Sequence, residues 1–573
     1  MNILPILRVF IGTPGSHPIL TLACLLIAGI FNVLSISLII PLLGTLSLSG
    51  APGGSGLRAL GATLLSKLNI AQSPEQLLLL IGVAFTLKSL FVLAAMTFVS
   101  HSVAAVGATI RRRLLSAILG ANLKYFLAHP PVTIANAISN SAASAAEAFN
   151  NACLAISEYL KLAALLVAAL LISGYLIFVL ISAGAVFGFL LARFLQWRRK
   201  SYREQREVND RLLGSVHDAL SNIKVLRGMG RLGPHAKIME AIIRRLELSV
   251  RQSQFTRHRL NAVQDISIVA AVCTGLYAGM RYLDAPLPEM LVMTALFFLS
   301  GSILKNLQGI LHRFNESAPA FDDCEKLIAE ADALRDLRRG ATVPTLNHGC
   351  RFENVSFAYD DRPVLQGVSF TIPAGGITVI EGESGSGKTT AVDLLIGLYA
   401  PQSGRILIDE TPLDNISIDA WRSSIGYVPQ ELILVPGTIF ENVALGDSRV
   451  TREDACAALK LAGAESFVNA LAEGLDTEVG NMGTRLSGGQ RQRISIARAL
   501  VAKPSLLILD EVTSALDRVT EAEICDNVKN LSGRMTIVAI THREAWRAIA
   551  THAVVIKGGR IVPGEGDGNQ TGS

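Results

Sequence analysis

The residues with the most specific chemistry are Gly382-Glu383-Ser384-Gly385-Ser386-Gly387-Lys388-Thr389, followed by Thr390. The apolar run Ile377 to Ile380 before them reads as a buried strand, and Ala391 to Leu398 after them reads as a helix. A glycine-rich turn between a strand and a helix can aim several backbone N–H groups at one anion, and the helix N-terminus adds its positive dipole end. Lys388 reaches the outer phosphates in such a loop, and the Thr389 hydroxyl can ligate Mg²⁺. The motif therefore implies a bound nucleoside triphosphate.

A second cluster supports hydrolysis. Ser505-Leu506-Leu507-Ile508-Leu509-Asp510-Glu511 is an apolar strand ending in two acids, 128 residues beyond Gly382. Asp510 would hold Mg²⁺ through water, and Glu511 would act as general base on the attacking water. Just upstream stands Leu486-Ser487-Gly488-Gly489-Gln490, continued by Arg491-Gln492-Arg493. Ser487 can cap the helix that follows, and Gly488 and Gly489 let backbone approach a phosphate.

With these three motifs the chain resembles the ATP-binding-cassette (ABC) transporter family, and the Leu486–Gln490 stretch matches that family's signature without a gap. The resemblance implies a membrane α-helical domain of six transmembrane helices with long cytoplasmic extensions, followed by an α/β P-loop ATPase domain. It implies further roles residue by residue. Tyr359 would stack on adenine. Gln430, in Tyr427-Val428-Pro429-Gln430, would join the Mg²⁺ shell. Asp517, in Ser514-Ala515-Leu516-Asp517, would lie at a dimer interface. His542, in Ile540-Thr541-His542, would contact the γ-phosphate; its position after the apolar strand Thr536 to Ile540 speaks against an ordinary surface histidine. ATP and Mg²⁺ are the implied cofactors. The family sandwiches each ATP between the phosphate loop of one cassette and the Ser487 region of another. One cassette per chain then implies a second copy, or a related half-transporter, as partner. Two departures stand out. The family's Thr-Glu-Val-Gly-Glu pattern ends here in Asn481, and Glu544 stands where a leucine usually follows Arg543.

The elements that must position these residues divide the chain. At 573 residues, two or more domains are expected. Half of the residues are hydrophobic and 17% are charged, against about 25% in soluble domains. The mean hydropathy is +0.42. These values favour a membrane protein, and a net charge of +5 does not suggest nucleic acid as a partner. The seven scattered cysteines form no C-x-x-C and imply neither a disulfide framework nor a metal site.

A bilayer-spanning helix takes about 20 apolar residues. Apolar runs at Ile19–Leu48, Leu77–Val106, two within Leu154–Leu195 divided near Ser173-Gly174, Ala262–Met280 and Met290–Leu311 suggest six spans. Met1 to Phe10 is a poor signal peptide and reads as a helix on the membrane surface. The loops between spans two and three and between spans four and five are rich in arginine, which places them, both termini and the cassette on the cytoplasmic side of the plasma (inner) membrane. Turns near Lys124–His129 and Ser221–Gly233 are where helices coupling the two domains are expected. The expected boundaries are 1–335 for the membrane domain, 336–349 for a linker, 350–563 for the cassette and 564–573 for a flexible tail. The segment 50–73 reads either as a short amphipathic helix on the outer face or as an ordinary linker.

Ionisable residues within spans are costly and mark functional sites by default. Lys88, Arg259 and Lys305 would form a cationic path for an anionic head group. The alternative is structural: Lys305 and Arg259 snorkel to the interface, and Glu158 and Lys161 neutralise each other. The stretch Ser35–Leu42 and the residues around the phosphate loop resemble bacterial flippases for lipid-linked oligosaccharides. The expected function is thus an ATP-driven exporter or flippase of an amphipathic lipid-linked substrate. A general lipid, drug or peptide exporter is its rival, although no peptidase segment precedes the spans. From other classes stand an ATPase that regulates a membrane partner without transport, and a soluble cassette of DNA repair or translation, which the apolar runs oppose.

Overall fold

The computed structural model describes residues 17–37, 74–172, 207–209, 211–282, 287–335, 340–480, 483–513 and 518–562. The chain separates into two compact units, Met1–Arg335 and Asp336–Ser573.

The first unit is helical. Its helices include α1 (Pro18–Ser37), α2 (Pro74–Leu119), α3 (Leu123–Ala128), α4 (Ala142–Ile172), α5 (Ile223–Gly228), α6 (Leu232–Tyr282) and α7 (Leu287–Ala333). The N-terminal part of α2 is apolar on all sides. Leu77, Ala84 and Ala95 are buried, while Leu78, Leu79, Leu90 and Leu93 lie exposed. A helix hydrophobic all round belongs in a large core or a membrane. Among the described residues, Glu75–Leu119 is the one helix long and apolar enough to cross a bilayer. It contains the second expected span. The first is described only as far as Ser37, and the fourth lies outside the described residues, as do Met1–Phe10 and segment 50–73.

Small residues let these helices approach. Ala142, Ala145, Ala148 and Ala152 of α4 are buried against Ile110 and Leu114 of α2 and Phe314 and Phe321 of α7. A Cβ at Gly107 would stand 3.2 Å from the Ala146 Cβ. The turn after α2 is fastened from three directions. Asn122 caps α3, its side chain accepting from the Tyr125 N–H. Tyr125 is fully buried and stacks on His129, whose Nε2 is 3.2 Å from Glu330 Oε2. Arg113 donates to both oxygens of Glu325, at 2.7 and 3.1 Å.

The second unit is α/β. An antiparallel sheet of order β2-β1-β4-β5 comprises β1 (Gly349–Tyr359), β2 (Arg362–Pro373), β4 (Ser403–Ile408) and β5 (Thr411–Pro412). The other sheet has the order β10-β9-β3-β8-β7-β6, with β3 (Ile377–Glu381), β6 (Ile425–Val428), β7 (Leu506–Asp510), β8 (Thr536–Ile540), β9 (His552–Lys557) and β10 (Arg560–Val562). Strands β9, β3, β8, β7 and β6 run parallel; β10 is the antiparallel edge. Every residue of β3, β7 and β8 is buried, as a parallel sheet covered on both faces requires. That burial explains their unbroken apolar sequences. The helices of this unit include α8 (Lys388–Ile396), α9 (Ile439–Ala444), α10 (Arg452–Leu461), α11 (Gly488–Leu500), α12 (Arg518–Lys529) and α13 (Glu544–Ile549). Ile377, Val379, Leu507, Leu509, Ile537 and Ala539 share one core with α9–α13. Ile380, Leu506, Ile508, Val538 and Ile540 face the other, with α8 and the antiparallel sheet. In open α/β sheets ligands bind beyond the carboxyl ends of the strands. Strands β3, β8 and β7 are neighbours, so their three carboxyl ends bring the phosphate loop, Thr541-His542 and Asp510-Glu511 to one edge.

Candidate active site

The phosphate loop is built around backbone that only glycine accepts. Gly382 has φ +149°, and a Cβ there would stand 2.0 Å from the Ile556 carbonyl oxygen. Gly387 has φ +105°, and a Cβ would meet Leu365 Cδ2 at 2.7 Å. Lys388 opens α8 and is buried. Its Nζ donates to the carbonyls of Gly382 (2.7 Å) and Glu383 (2.9 Å), so the ammonium curls back over the loop. Glu383, Ser384 and Gly385 form the loop's outer turn, and the Ser386 hydroxyl is buried with no hydrogen-bond partner. A polar atom buried without a partner in a glycine-lined cradle fits an anion that supplies one.

Asp510 ends β7 and is almost fully buried. Burial raises its carboxyl to about 6, helped by the neighbouring charge of Glu511 and opposed by Lys388 and a hydrogen bond from Thr389. Its Oδ1 has no hydrogen-bond partner. Thr389, Asp510 and Gln430 present the oxygen donors that suit a hard cation such as Mg²⁺, and the unpartnered Oδ1 is the observation that fits one. Glu511 follows in the left-handed region, at φ +47°. Its N–H donates to the Ile540 carbonyl at 2.9 Å, which holds it to β8. Gln430 Nε2 donates to Glu511 Oε2 at 2.8 Å, and His542 Nε2 stands 3.9 Å from Glu511 Oε1. The base, the glutamine and the histidine thus meet, although 81 residues separate the first two in sequence.

Tyr359 stands at the end of β1, edge-on to Phe357 and Tyr399, with its hydroxyl 3.4 Å from Thr390 Oγ1. It is 37% exposed, so one side of the ring faces out, as a platform for a flat base requires. Ser487 caps α11. Its Oγ accepts from Gln490 N–H (3.3 Å), and Gln490 Oε1 accepts from Ser487 N–H (2.9 Å), a reciprocal capping box. The described hydrogen bonds of Ser487 and Gln490 close their own turn, leaving Gly488 and Gly489 at the helix N-terminus. Asp517 and Asn481 lie outside the described residues.

Sequence reasoning missed several residues of this unit. Asp393, one turn into α8, is raised to about 6 by burial, with the charge of Asp510 adding and the Tyr359 hydrogen bond opposing. An acid on an otherwise apolar helix face was the available signal. Glu381, the last residue of β3, is buried and ion-paired through both oxygens to Arg547 of α13. Glu521 of α12 is likewise buried.

In the first unit the three basic candidates make separate contacts. The Lys88 ammonium lies 5.0 Å from the Phe85 ring, and the Arg259 guanidinium 5.8 Å from Phe255. Lys305 pairs with Asp265 at 3.1 Å, and Lys161 with Glu158 at 2.8 Å. Asp265 sits on α6, a helix away from Lys305; sequence reasoning missed it, although an acid inside the expected span Ala262–Met280 was the available signal.

The fold and site define a phosphate-loop ATPase unit that follows a helical unit in the same chain. Comparison with known proteins carries this further. The model of the ABC transporter transmembrane region matches residues 19–303, and the ABC transporter model matches residues 365–514. The chain belongs to the ABC transporter family. It is 33% identical over 326 residues to an ATP-dependent lipid A-core flippase of Syntrophus aciditrophicus, covering 57% of this chain and 53% of that protein. It is 31% identical over 377 residues to the mitochondrial iron-sulfur clusters transporter ATM1 of Saccharomyces cerevisiae, covering 64% and 54%. The chain thus spans about half the length of the curated relatives it matches. A solved structure of a bacterial Atm1-family ABC exporter with ATP bound superposes with a TM-score of 0.79 at 23% identity, over 97% of this chain and 95% of that one. The fold is therefore that of an ABC exporter.

Proposed function

We propose that the chain is one half of an ATP-hydrolysing exporter or flippase, acting as a homodimer or with a related half-transporter. The observation that carries this reading is the meeting of Lys388, Asp510, Glu511, Gln430 and His542 at the carboxyl ends of β3, β6, β7 and β8. Tyr359 would stack on the adenine. The backbone N–H groups of Gly382–Gly387 and the Lys388 ammonium would hold the phosphates. Thr389, Asp510 and Gln430 would hold Mg²⁺, which neutralises charge on the β- and γ-phosphates when bound. Glu511 accepts a proton from the attacking water, with Gln430 and His542 orienting its carboxylate and the γ-phosphate. Ser487, Gly488 and Gly489 would contact the ATP held by the partner cassette, and Asp517 would stand at the interface between cassettes.

The reading places residues 1–335 in the plasma membrane, 336–349 as a linker and 350–563 as a cytoplasmic cassette. The helices α3 and α5 would carry cassette motion to the membrane helices. The substrate is an amphipathic, anionic lipid-linked molecule. The lipid A-core flippase named above supports that class, and Lys88 and Arg259 would supply positive charge for its head group, Lys305 being paired with Asp265. The iron-sulfur clusters transporter among the relatives and the Atm1-family fold favour a second reading, a smaller anionic or metal-bearing cargo.

The test reconstitutes the purified chain in liposomes carrying a fluorescent lipid-linked oligosaccharide or a plain phospholipid. The proposal expects ATP-dependent movement of the glycolipid, abolished by Glu511→Gln and reduced by Lys88→Ala. ATP hydrolysis with neither lipid moving would end the lipid reading and leave the second cargo class.

A further inference from the structure

Glu511 carries a backbone conformation that a glutamate does not choose for itself. Left-handed non-glycine residues persist where the surroundings over-determine them, and they gather at active sites. The two residues after Glu511 supply that determination. Val512 and Thr513 are buried. The side chain of Gln492, itself 1% exposed, donates to the Val512 carbonyl. Thr513 Oγ1 donates to Glu521 Oε1 at 3.0 Å and accepts from the Trp546 indole N–H at 3.0 Å. Glu521 Oε2 accepts from Arg543 at 3.2 Å, and Arg543 is the neighbour of His542. Gln492 lies on α11, two residues beyond the capping Gln490. Glu521 lies on α12, and Trp546 lies on α13.

We propose that Gln492, Thr513 and Glu521 are positioning residues that hold Glu511 in its left-handed conformation and lock it to His542 and to the Ser487 helix. The described side-chain hydrogen bonds of the three run to neither Glu511 nor His542. Each fixes a neighbour in sequence: Gln492 and Thr513 the two residues after the base, Glu521 the residue after the histidine. The buried Glu521 carboxylate is the centre, because it answers Thr513 with one oxygen and Arg543 with the other. Through Gln492 the same node reaches α11, so a change at the Ser487 turn is felt at the base by way of the Val512 carbonyl. This inference rests on the ATP-hydrolysis reading above.

Steady-state ATP hydrolysis by the full-length chain in liposomes tests it, read as kcat and KM for ATP alongside thermal unfolding. Glu521→Gln should lower kcat about tenfold with KM within about twofold and an unfolding temperature near wild type. Thr513→Val, which preserves shape and removes the hydroxyl, should do the same, and Thr513→Ser should restore kcat. Gln492→Leu should lower kcat without changing KM. Thr513→Val at wild-type kcat overturns the role, as does a loss that Thr513→Ser fails to rescue. Should Glu521→Gln fail to fold, the Thr513 pair decides alone. The wild type and Glu511→Gln separate the two levels of inference. A wild type that does not turn over ATP sinks the ATPase reading and the positioning role with it. A wild type that turns over, beside a silent Glu511→Gln and unaffected Thr513→Val, sinks the positioning role only.

Discussion

At the scale of single residues, the ATP site is assembled from groups whose usual solvent has been replaced by backbone and by one another. Gln430 shows this best, since its amide nitrogen holds the Glu511 carboxylate at 2.8 Å and its amide oxygen is the one proposed to hold Mg²⁺. Even the outer partners of a metal site commonly change metal affinity by roughly 10–100-fold when removed, and a direct oxygen donor should matter at least as much. Gln430→Ala should therefore shift the Mg²⁺ dependence of ATP hydrolysis to about tenfold higher concentration, measured by titrating Mg²⁺ at fixed ATP. An unchanged Mg²⁺ curve would remove Gln430 from the site. Ser487 makes a different prediction. Losing an N-cap serine costs about 1 kcal/mol. Ser487→Ala should lower the unfolding temperature by only about 2–4 °C, as a domain of this size loses per kcal/mol. ATP turnover should fall far more than that loss explains, because the hydroxyl is expected at the partner's nucleotide. A fall in turnover no larger than the stability loss would reduce Ser487 to a cap.

At the scale of elements, α8 carries a half-buried acid, hydrogen-bonded to Tyr359, between residues of the apolar core. Asp393 lies among Val392, Leu394 and Leu395, which are buried against β1, β2 and β4. Its carboxyl is raised from 3.8 to about 6. The folded chain thus keeps a proton that the unfolded chain releases between those values. Stability from this group is fully present below the unfolded pKa and is lost as pH rises through about 6. Asp393→Asn should raise the unfolding temperature of the nucleotide-free protein at pH 7.5, and the gain should vanish toward pH 4. A gain that persists at pH 4 would assign the effect to something other than this proton. The loop before α8 makes a steric prediction. At Gly387 the backbone is left-handed and Leu365 blocks a Cβ, so Gly387→Ala should abolish ATP binding in a fluorescent-nucleotide assay.

At the scale of the whole molecule, the proposed sandwich would leave half of each ATP site to a partner cassette. Glu511→Gln should bind ATP without hydrolysing it and hold two cassettes together. Cysteine cross-linking between cassettes should then rise with ATP in the variant and remain low without nucleotide. Cross-linking indifferent to ATP would contradict a nucleotide sandwich. The membrane unit follows a different physics from the cassette. The exposed leucines of α2 crowd one stretch of helix, whereas most apolar residues of the cassette close into two cores on either side of the sheet and the exposed ones, such as Ile433, Leu445 and Val519, are scattered. Such a surface is stable where the solvent is itself apolar.

Much of this was legible in the sequence because the relevant physics is local. Backbone that must turn tightly around a phosphate demands glycine at fixed spacing, and a strand buried on both faces demands an unbroken apolar run. Gly382–Thr389, Leu506–Asp510 and Thr536–Ile540 were therefore readable one after another along the chain. The resemblance supplied the roles of Tyr359, Gln430 and His542, whose surroundings carry little local signal. What the sequence by itself determined was the family, the two kinds of unit and the residue types of the ATP site. The tertiary structure alone decided that β3, β8, β7 and β6 lie side by side, so that Gln430, just past β6, meets Glu511 at the end of β7 across 81 residues. It also decided the partners of Lys305, Glu381 and Glu521: Asp265, Arg547, and Thr513 with Arg543. Such pairs join charges from different elements, and their spacing in sequence records only the length of chain that happens to lie between them.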